Sequence, residues 1–249
     1  MASMAPMPEP PRILFFDDID STNAEARRLA EAGEAGPLWI TALRQHQGRG
    51  RRGRAWETGA GNLAATYLFA TALQPAQAAQ VSFVAALAVA DLLDAFLPAE
   101  RASLKWPNDP LIAGRKAAGI LVESGALEPG RIWLAVGCGV NLARAPTQSE
   151  RPTTALADHM NGPPPPPREA VLKLASAMES WRGLWEASGF APIAEAWTRR
   201  AHGLGGPCVA QLSTETLRGV AEGLDPDGAL RLRLETGEVR RITAGDVFF

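Results

Sequence analysis

The chain has 249 residues, of which 46% are hydrophobic and 21% charged, and its formal net charge is −2. This composition excludes a mainly disordered chain and supports one ordinary core, or a main domain with a small appendix. The longest unbroken apolar run, 83–90, is far shorter than the ~20 residues of a membrane span. Two cysteines and three histidines argue against a disulfide framework or a structural zinc site. We therefore expect a soluble, cytoplasmic protein.

The first half of the chain predicts alternating strands and helices. Residues 1–12 carry four prolines and no apolar stretch, which predicts a disordered leader rather than a signal peptide. A helix is predicted at 23–32, closed by Gly33, and a long helix at 77–96 is apolar on most faces and expected to be buried. Strands are predicted at 13–16, 38–43, 62–70, 103–106, 118–123 and 132–140.

The second half changes character twice. Five consecutive prolines at 163–167 predict a stiff polyproline connection, followed by amphipathic helices at 168–187 and 193–201. Beyond the glycine-rich break at 202–207, short alternating runs predict a small β-barrel, which has too few apolar residues to be stable without docking on the rest. The predicted strands of this part are 209–212, 217–224, 230–234 and 239–242.

A loop at residues 48–54 reads Gly-Arg-Gly-Arg-Arg-Gly-Arg and is followed by Trp56. Glycines let the backbone approach an anion closely, arginines donate paired N–H groups to phosphate, and an aromatic ring can stack on a base. The loop therefore favours a nucleotide or a phosphorylated intermediate, although a solvated basic loop and an RNA-binding element stay open. Its like charges also predict that it is mobile when empty and closes over a ligand.

A second polar stretch, Lys105-Trp-Pro-Asn-Asp109, precedes Gly114-Arg-Lys116. Only three of the 25 basic residues are lysines, and two of them lie in this stretch. A lysine can offset the charge of a carboxylate that attacks a phosphate, while Asp109 can hold Mg²⁺ or orient an amine. The alternative is a surface β-turn with one ion pair.

A third stretch, Gly137-Cys-Gly-Val-Asn141, ends a predicted strand. Its glycines leave room for a flat ligand whose edge Asn141 can read, and close packing of two strands is the alternative. Cys138 is interpreted as a small buried residue rather than a nucleophile.

Together these stretches resemble the catalytic region of bacterial biotin–protein ligases, in the form that lacks an N-terminal DNA-binding domain. The resemblance begins with Ser21-Thr22-Asn23, covers about residues 13–249, and departs from the family in the five-proline run, at His46-Gln47 and in the short C-terminus after Phe249. It implies an α/β (α+β) fold with a leader at 1–12. A class II synthetase-like catalytic domain at 13–203 has a mixed, mainly antiparallel sheet with flanking helices, and an SH3-like barrel follows at 204–249.

The resemblance also implies the chemistry: ATP-dependent attachment of biotin to a lysine of a biotin carboxyl carrier domain through biotinyl-5′-adenylate, with Mg²⁺. The implied catalytic residues are Lys116, Arg51 and Asp109, and Asp109 is also the candidate Mg²⁺ ligand. The implied biotin contacts are Ser21, Thr22, Asn23, Gln45, Gly48, Arg49, Arg51, Lys116, Gly119, Gly137 and Val140. The implied nucleotide contacts are Arg49, Arg51, Arg52, Arg54, Trp56, Asn108, Lys116 and Asn141.

The implied partners are the carrier protein and, weakly, a second copy of the chain, with no DNA and no membrane. Three other hypotheses stay open: a lipoate or octanoate ligase of the same fold, a non-catalytic RNA-binding protein that uses the Gly/Arg loop, and a degenerate ligase fold that acts as a sensor. RNA binding predicts steep salt dependence without pyrophosphate release. The retained Lys116 and Asp109 argue against the sensor.

Overall fold

The computed structural model describes residues 11–97, 102–146 and 151–249. Residues 1–10 of the predicted leader lie outside these ranges. Arg12, the last residue of that leader, forms an ion pair with Glu34 at 2.9 Å.

A five-stranded sheet forms the centre of the larger part of the molecule. In spatial order its strands are β1 (Ile13–Ile19), β2 (Leu38–Gln45), β3 (Leu63–Thr71), β8 (Arg131–Val140) and β7 (Ala118–Glu128). β1 runs parallel to β2, and every other neighbouring pair is antiparallel. The prediction of a mixed, mainly antiparallel sheet is confirmed.

Helices cover both faces of this sheet. Helix α1 (Thr22–Glu31) packs Ala26 and Ala30 on one face, against Leu38 and Ile40. The opposite face carries the larger core, which contains α3 (Val81–Asp94), α4 (Pro167–Ser188) and α5 (Ala191–Arg199). Successive residues of β2 alternate between the two cores, as the period of a strand requires.

The apolar helix predicted at 77–96 is divided in two. A single turn, α2 (Pro75–Ala78), precedes α3, because the N–H groups of Gln80, Ser82 and Phe83 donate to carbonyls three residues back instead of four. By length and composition, Pro75–Asp94 could cross a membrane, but 67% of its most apolar window is buried inside the fold. That burial is typical of a core helix. The last residue of the predicted polyproline connection, Pro167, begins α4 instead, where its missing N–H is not needed.

Two short hairpins follow α3. They contain β4 (Ala102–Lys105), β5 (Asp109–Ile112) and β6 (Arg115–Lys116), of which the sequence predicted only β4. Ala113 and Gly114 both have positive φ angles, 50° and 74°, and form the two-residue turn between β5 and β6. β5 begins Asp-Pro and β6 is Arg-Lys, so neither has the apolar alternation that identifies a strand.

The C-terminal part is a five-stranded antiparallel sheet. In spatial order its strands are β12 (Val239–Ile242), β11 (Leu230–Leu234), β10 (Thr216–Leu224), β9 (Pro207–Gln211) and β13 (Asp246–Phe248). β13 was not predicted. In the described part of the chain β12 and β13 lie at opposite edges of the sheet, so the pairing does not close the expected barrel. The predicted docking is confirmed, because Ala210, Leu232 and Val247 belong to the same core as α3.

Candidate functional site

A cavity of about 460 Å³ lies where the start of α1, the Gly/Arg loop, the hairpins, the β7–β8 pair and the C-terminal sheet meet. Most of the predicted site residues line it, although they are far apart in the sequence. The predicted residues that line it are Ser21, Thr22, Asn23, Gln45, Arg49, Arg51, Arg52, Arg54, Trp56, Asp109, Lys116, Gly119, Gly137 and Asn141.

Three predicted residues do not line this cavity: Gly48, Asn108 and Val140. Val140 is fully buried in the core, so its side chain is not placed for a ligand. The buried amide of Asn108 donates to the carbonyl of Ile120 at 3.4 Å. The carbonyl of Gly48 accepts the N–H of Trp56 at 2.9 Å, and a Cβ on Gly48 would lie 2.3 Å from the Trp56 carbonyl oxygen. Gly48 therefore closes the base of the loop.

One end of the cavity, the neutral end, is lined by Thr22, Asn23 and Gln45, whose hydrogen-bond network continues to Thr66, a buried residue that does not line the cavity. The Thr22 hydroxyl donates to Gln45 Oε1 at 3.1 Å, and Thr66 Oγ1 lies 2.8 Å from Thr22 Oγ1 and 2.7 Å from Asn23 Oδ1. Two hydroxyl protons thus serve three close oxygen–oxygen contacts. The network is one proton short, so it is suited to accept a hydrogen bond from an N–H of a ligand.

The amide of Asn23 connects the neutral end to the Gly/Arg loop. Its Nδ2 donates to Glu123 Oε2 at 2.7 Å, and Glu123 Oε1 lies 3.3 Å from the guanidinium of Arg49. A Cβ on Gly137 would lie 2.2 Å from Asn23 Oδ1, so only glycine leaves space for this amide. Gly137 therefore makes room for the Asn23 side chain, while its contact with biotin stays a prediction.

The indole of Trp56 lies flat on the paired residues Gly119 and Gly139 of strands β7 and β8. A Cβ on Gly119 would lie 2.7 Å from this ring, and a Cβ on Gly139 would lie 2.3 Å from it. The glycines form a seat for the indole, which lines the cavity and is suited to stack with a flat base. The contact of Gly119 with biotin stays a prediction, since Gly119 contacts the indole and also lines the cavity.

Asp109 lies between two lysines at the centre of the cavity wall. Lys116 Nζ is 2.5 Å from Oδ1 and Lys105 Nζ is 2.8 Å from Oδ2, because the two hairpins place one lysine on each side of the aspartate. Burial alone would raise the pKa of Asp109, but the ammonium groups of Lys116 and Lys105 lower it by more, to about 2. The carboxylate is therefore anionic at neutral pH.

Asp109 does not fit the predicted role of a Mg²⁺ ligand. Both of its oxygens contact ammonium groups, and a cation would have to displace them. Among the residues that the structure describes, no group of three or more His, Cys, Asp and Glu side chains could hold a metal. Mg²⁺ bound to a nucleotide is usually held by the phosphates with only one or two carboxylates, so we derive no step from a metal on Asp109.

The other end of the cavity, the cationic end, carries the arginines of the loop. Arg52 and Arg54 each lie 3.0 Å from the carboxylate of Asp246, at the start of β13, and Arg51 donates to the carbonyl of Gly245 at 3.4 Å. Burial raises the pKa of Asp246, but the guanidinium of Arg54, helped by its neighbours, lowers it further than that. Loop mobility stays a prediction, but its premise changes, because the protein's own carboxylates neutralise the loop.

Sequence reasoning missed Asp246 and Arg151. Arg151 lines the cavity and lies 3.2 Å from Asp246 and 3.5 Å from Asp109, so it connects the C-terminal sheet to the lysine pair. Asp246 is the first residue of an ordinary-looking strand, and Arg151 follows a stretch without pattern. Their only sequence signal is charge, which many surface residues share.

Asn141 and Cys138, both in the third stretch, are buried at the end of β8. Asn141 donates through Nδ2 to the carbonyl of Thr154 at 3.1 Å, while its buried Oδ1 has no hydrogen-bond partner among the described residues. That oxygen is suited to accept from an amino group of a ligand. Cys138 is buried, and burial raises the pKa of its thiol to about 12. It is therefore not a thiolate nucleophile at neutral pH.

Comparison with known proteins finds matches in both the larger part of the chain and its C-terminal part. The model of the biotin/lipoate A/B protein ligase family matches residues 15–141, and that of the biotin protein ligase C-terminal domain matches residues 203–249. The biotin–[acetyl-CoA-carboxylase] ligase of Paracoccus denitrificans is 45% identical over 236 residues, which are 92% of this chain and 97% of that protein.

Two further relatives extend the comparison. The bifunctional ligase/repressor BirA of Escherichia coli is 28% identical over 235 residues, which are 92% of this chain and 71% of that protein. Among solved structures, the biotin protein ligase of Aquifex aeolicus in complex with biotin and ATP superimposes with a TM-score of 0.80 at 25% identity. That superposition covers 95% of this chain and 97% of the other.

Proposed function

The chain belongs to the biotin/lipoate A/B protein ligase family, and from this membership we propose how its cavity attaches biotin to a carrier protein with ATP. The activity is that of a biotin–protein ligase. The observation that carries the proposal for the site is the division of one cavity into a neutral end that accepts N–H groups and a cationic end that attracts phosphates.

The neutral end suits the ureido ring of biotin. A ureido group has two N–H donors and one carbonyl, and at the neutral end Thr22 Oγ1 and Asn23 Oδ1 share the single hydroxyl proton of Thr66, so one of them can accept from a ligand N–H. Ser21 lines the same end. An alkyl chain offers no donor, so its burial here would leave the acceptors unsatisfied. This argument favours biotin over lipoate or octanoate as the substrate.

In the first step a carboxylate oxygen of biotin attacks the α-phosphorus of ATP, the bond to the β-phosphate oxygen breaks, and pyrophosphate leaves. Lys116 lines the cavity next to the arginines and would offset the charge that builds up on the phosphate. Arg49, Arg51, Arg52 and Arg54 would exchange their contacts with protein oxygens for contacts with phosphate oxygens. Trp56 and Asn141 would hold the adenine.

In the second step the ε-amine of the acceptor lysine attacks the carbonyl carbon of the mixed anhydride, AMP leaves, and the nitrogen loses a proton. An anionic Asp109 next to the anhydride would attract and orient that ammonium or amine. The acceptor of this family is a biotin carboxyl carrier protein, and the domain of an acetyl-CoA carboxylase is the proposed partner. Because both oxygens of Asp109 contact ammonium groups, we expect Mg²⁺ to bind mainly to the ATP phosphates.

The competing hypotheses fit the cavity less well. The loop arginines contact Asp246 and Gly245 of the C-terminal sheet, so their charge is partly neutralised and the loop is less suited to RNA than an unpaired basic surface. The Lys116–Asp109 pair supplies a cation and an anion for the two chemical steps, and a sensor that performs no chemistry would not need them. A cytoplasmic location, the absence of DNA binding, a weak homodimer and the division of the chain at 203/204 stay predictions.

The test is pyrophosphate release from MgATP with biotin, lipoate or octanoate in parallel. We expect release with biotin and, after a carrier domain is added, covalent biotin on one lysine of that domain. Comparable release with lipoate or octanoate would replace the proposed substrate. Binding of RNA without release in any of the three reactions would favour the non-catalytic hypothesis.

A further inference from the structure

Lys105 has a position that the reaction as described does not explain. Its side chain is 12% exposed, and it is not among the residues that line the cavity. It therefore does not reach a ligand in the cavity directly. Its Nζ lies 2.8 Å from Asp109 Oδ2, while Lys116 contacts the other oxygen of the same carboxylate.

A buried ammonium is unfavourable unless an anion compensates for it. Burial lowers the pKa of Lys105, and the carboxylate of Asp109 opposes that effect. The backbone fixes this partnership, since Lys105 and Asp109 are directly paired residues at the closed end of the β4–β5 hairpin. The position of Lys105 behind Asp109 is therefore built into the fold.

The two lysines differ in access to the cavity. Lys116 lines it and is 25% exposed, so it can turn toward the phosphates during adenylation. Once it does, Asp109 loses the contact on Oδ1. The contacts on Oδ2 remain, from Lys105 at 2.8 Å and from Arg151 at 3.5 Å, and Arg151 is itself shared with Asp246.

We propose that Lys105 is a positioning residue for the transfer step, which holds Asp109 anionic and correctly oriented while Lys116 is engaged by phosphate. This inference rests on the proposed function, and it assigns different half-reactions to the two lysines. Lys116 serves adenylation through direct contact with phosphate. Lys105 serves transfer to the acceptor amine, and only through Asp109.

The experiment measures the two half-reactions separately in Lys105→Met, with Lys173→Met as the matched control. Lys173 lies on α4, with its Nζ 5.5 Å from the centre of the Phe96 ring. Pyrophosphate release reports adenylation, and single-turnover transfer from preformed biotinyl-adenylate to an acetyl-CoA carboxylase carrier domain reports the second step. For Lys105→Met we expect transfer to fall about 100-fold, with pyrophosphate release within a few-fold of wild type.

Two further variants separate positioning from a structural role. Lys105→Arg keeps the charge and should restore most of the transfer rate. In an Asp109→Asn background, Lys105→Met should cause little additional loss, because the group it positions has already been changed. The loss in Lys105→Met should also deepen as the pH falls from 8 to 5, since an Asp109 with one cation fewer takes up a proton more easily.

The outcomes are distinguishable. If wild type shows neither pyrophosphate release with biotin nor transfer, the proposed function fails. Suppose instead that wild type performs both steps. Equal losses in both half-reactions of Lys105→Met, or full transfer activity in that variant, then overturn the proposal for Lys105 and leave the proposed function standing. If Lys105→Met does not fold, Lys105→Arg decides the question. A folded Lys105→Arg protein that transfers biotin much more slowly than wild type contradicts a role that depends on the charge of Lys105.

Discussion

The neutral and cationic ends of the cavity differ in how the protein satisfies their polar groups without a ligand. At the neutral end, Thr22, Asn23 and Thr66 are buried, uncharged and bonded to each other over short distances. At the cationic end, Arg52 and Arg54 are about half exposed and are held by a carboxylate from the C-terminal sheet. The polar groups of the neutral end hydrogen-bond to each other, whereas the arginines of the cationic end pair with a carboxylate that a ligand anion can replace.

This difference predicts two modes of binding. A buried neutral network has one arrangement and accepts a ligand without rearrangement, which favours specificity. Half-exposed ion pairs each contribute little and exchange readily, so phosphate oxygens can replace Asp246 at small cost. We expect biotin recognition to depend on individual hydrogen bonds, and nucleotide binding to depend on the sum of several charges.

The largest expected effect tests the chemistry at the cationic end. Lys116→Ala should reduce pyrophosphate release about 1000-fold, because no other lysine lines the described cavity to offset charge on the phosphate. Biotin affinity, measured by calorimetry, should change only a few-fold. Lys173→Ala is the matched control and should behave as wild type. A folded Lys116→Ala protein with wild-type release would remove this lysine from the mechanism.

The next effect tests the neutral end. Thr22→Val keeps the shape but leaves Gln45 Oε1 and Thr66 Oγ1 with one partner fewer, so biotin affinity should fall about 10- to 100-fold. Thr41→Val is the control: Thr41 is also buried, but it donates to the carbonyl of Ala64 and does not line the cavity. Equal losses of affinity in both variants would mean that the network is structural only.

A smaller effect tests the contact between the loop and the C-terminal sheet. Asp246→Asn removes the anion shared by Arg52 and Arg54, so trypsin should cut the ligand-free loop about fivefold faster. Biotin and ATP together should protect the loop in both proteins. Asp227→Asn, which changes an exposed pair with Arg241 in the same sheet, should leave the cutting rate unchanged. Unchanged cutting in Asp246→Asn would show that the ion pairs do not hold the loop.

The smallest effect concerns acid. The pKa of Asp109 is about 2 in the folded protein, below its ordinary value of 3.8, so its ionised form stabilises the fold above pH ~4. That contribution is lost as the pH falls through the folded pKa. Between pH 5 and pH 3 the free energy of unfolding should fall about 1 kcal/mol more in wild type than in Asp109→Asn. Urea unfolding at the two pH values measures this, and parallel losses would contradict the assigned pKa shift.

The family resemblance, rather than any local pattern, placed the neutral end and the Gly/Arg loop in one site. Ser21 to Asn23, Gln45 and the Gly/Arg loop carry distinctive residues, and the structure brings them to one cavity. The hairpins that place Lys105 and Lys116 around Asp109 were missed, because two- to four-residue strands that contain proline and charge have no periodicity.

Contacts between distant parts of the chain were beyond local reasoning. Arg52 and Asp246 are 194 residues apart, and nothing near either of them identifies the partner. The same limit applies to Gly119 and Gly139. The sequence predicts space for a ligand at these glycines, and the structure shows that the Trp56 ring from the loop also lies on them. A small residue indicates that something approaches closely, but not what approaches.

The core that the C-terminal sheet shares with α3 predicts that the two parts unfold together. Trp106, inside the first hairpin, donates its indole N–H to the carbonyl of Gly228 at 2.9 Å, and a Cβ on Gly228 would lie 3.0 Å from the Phe83 ring. The sheet cannot be detached as a module without exposing the back of the lysine hairpins to water. Heating should therefore give one calorimetric transition. A destabilising mutation in either part should lower the amount of folded protein as a whole.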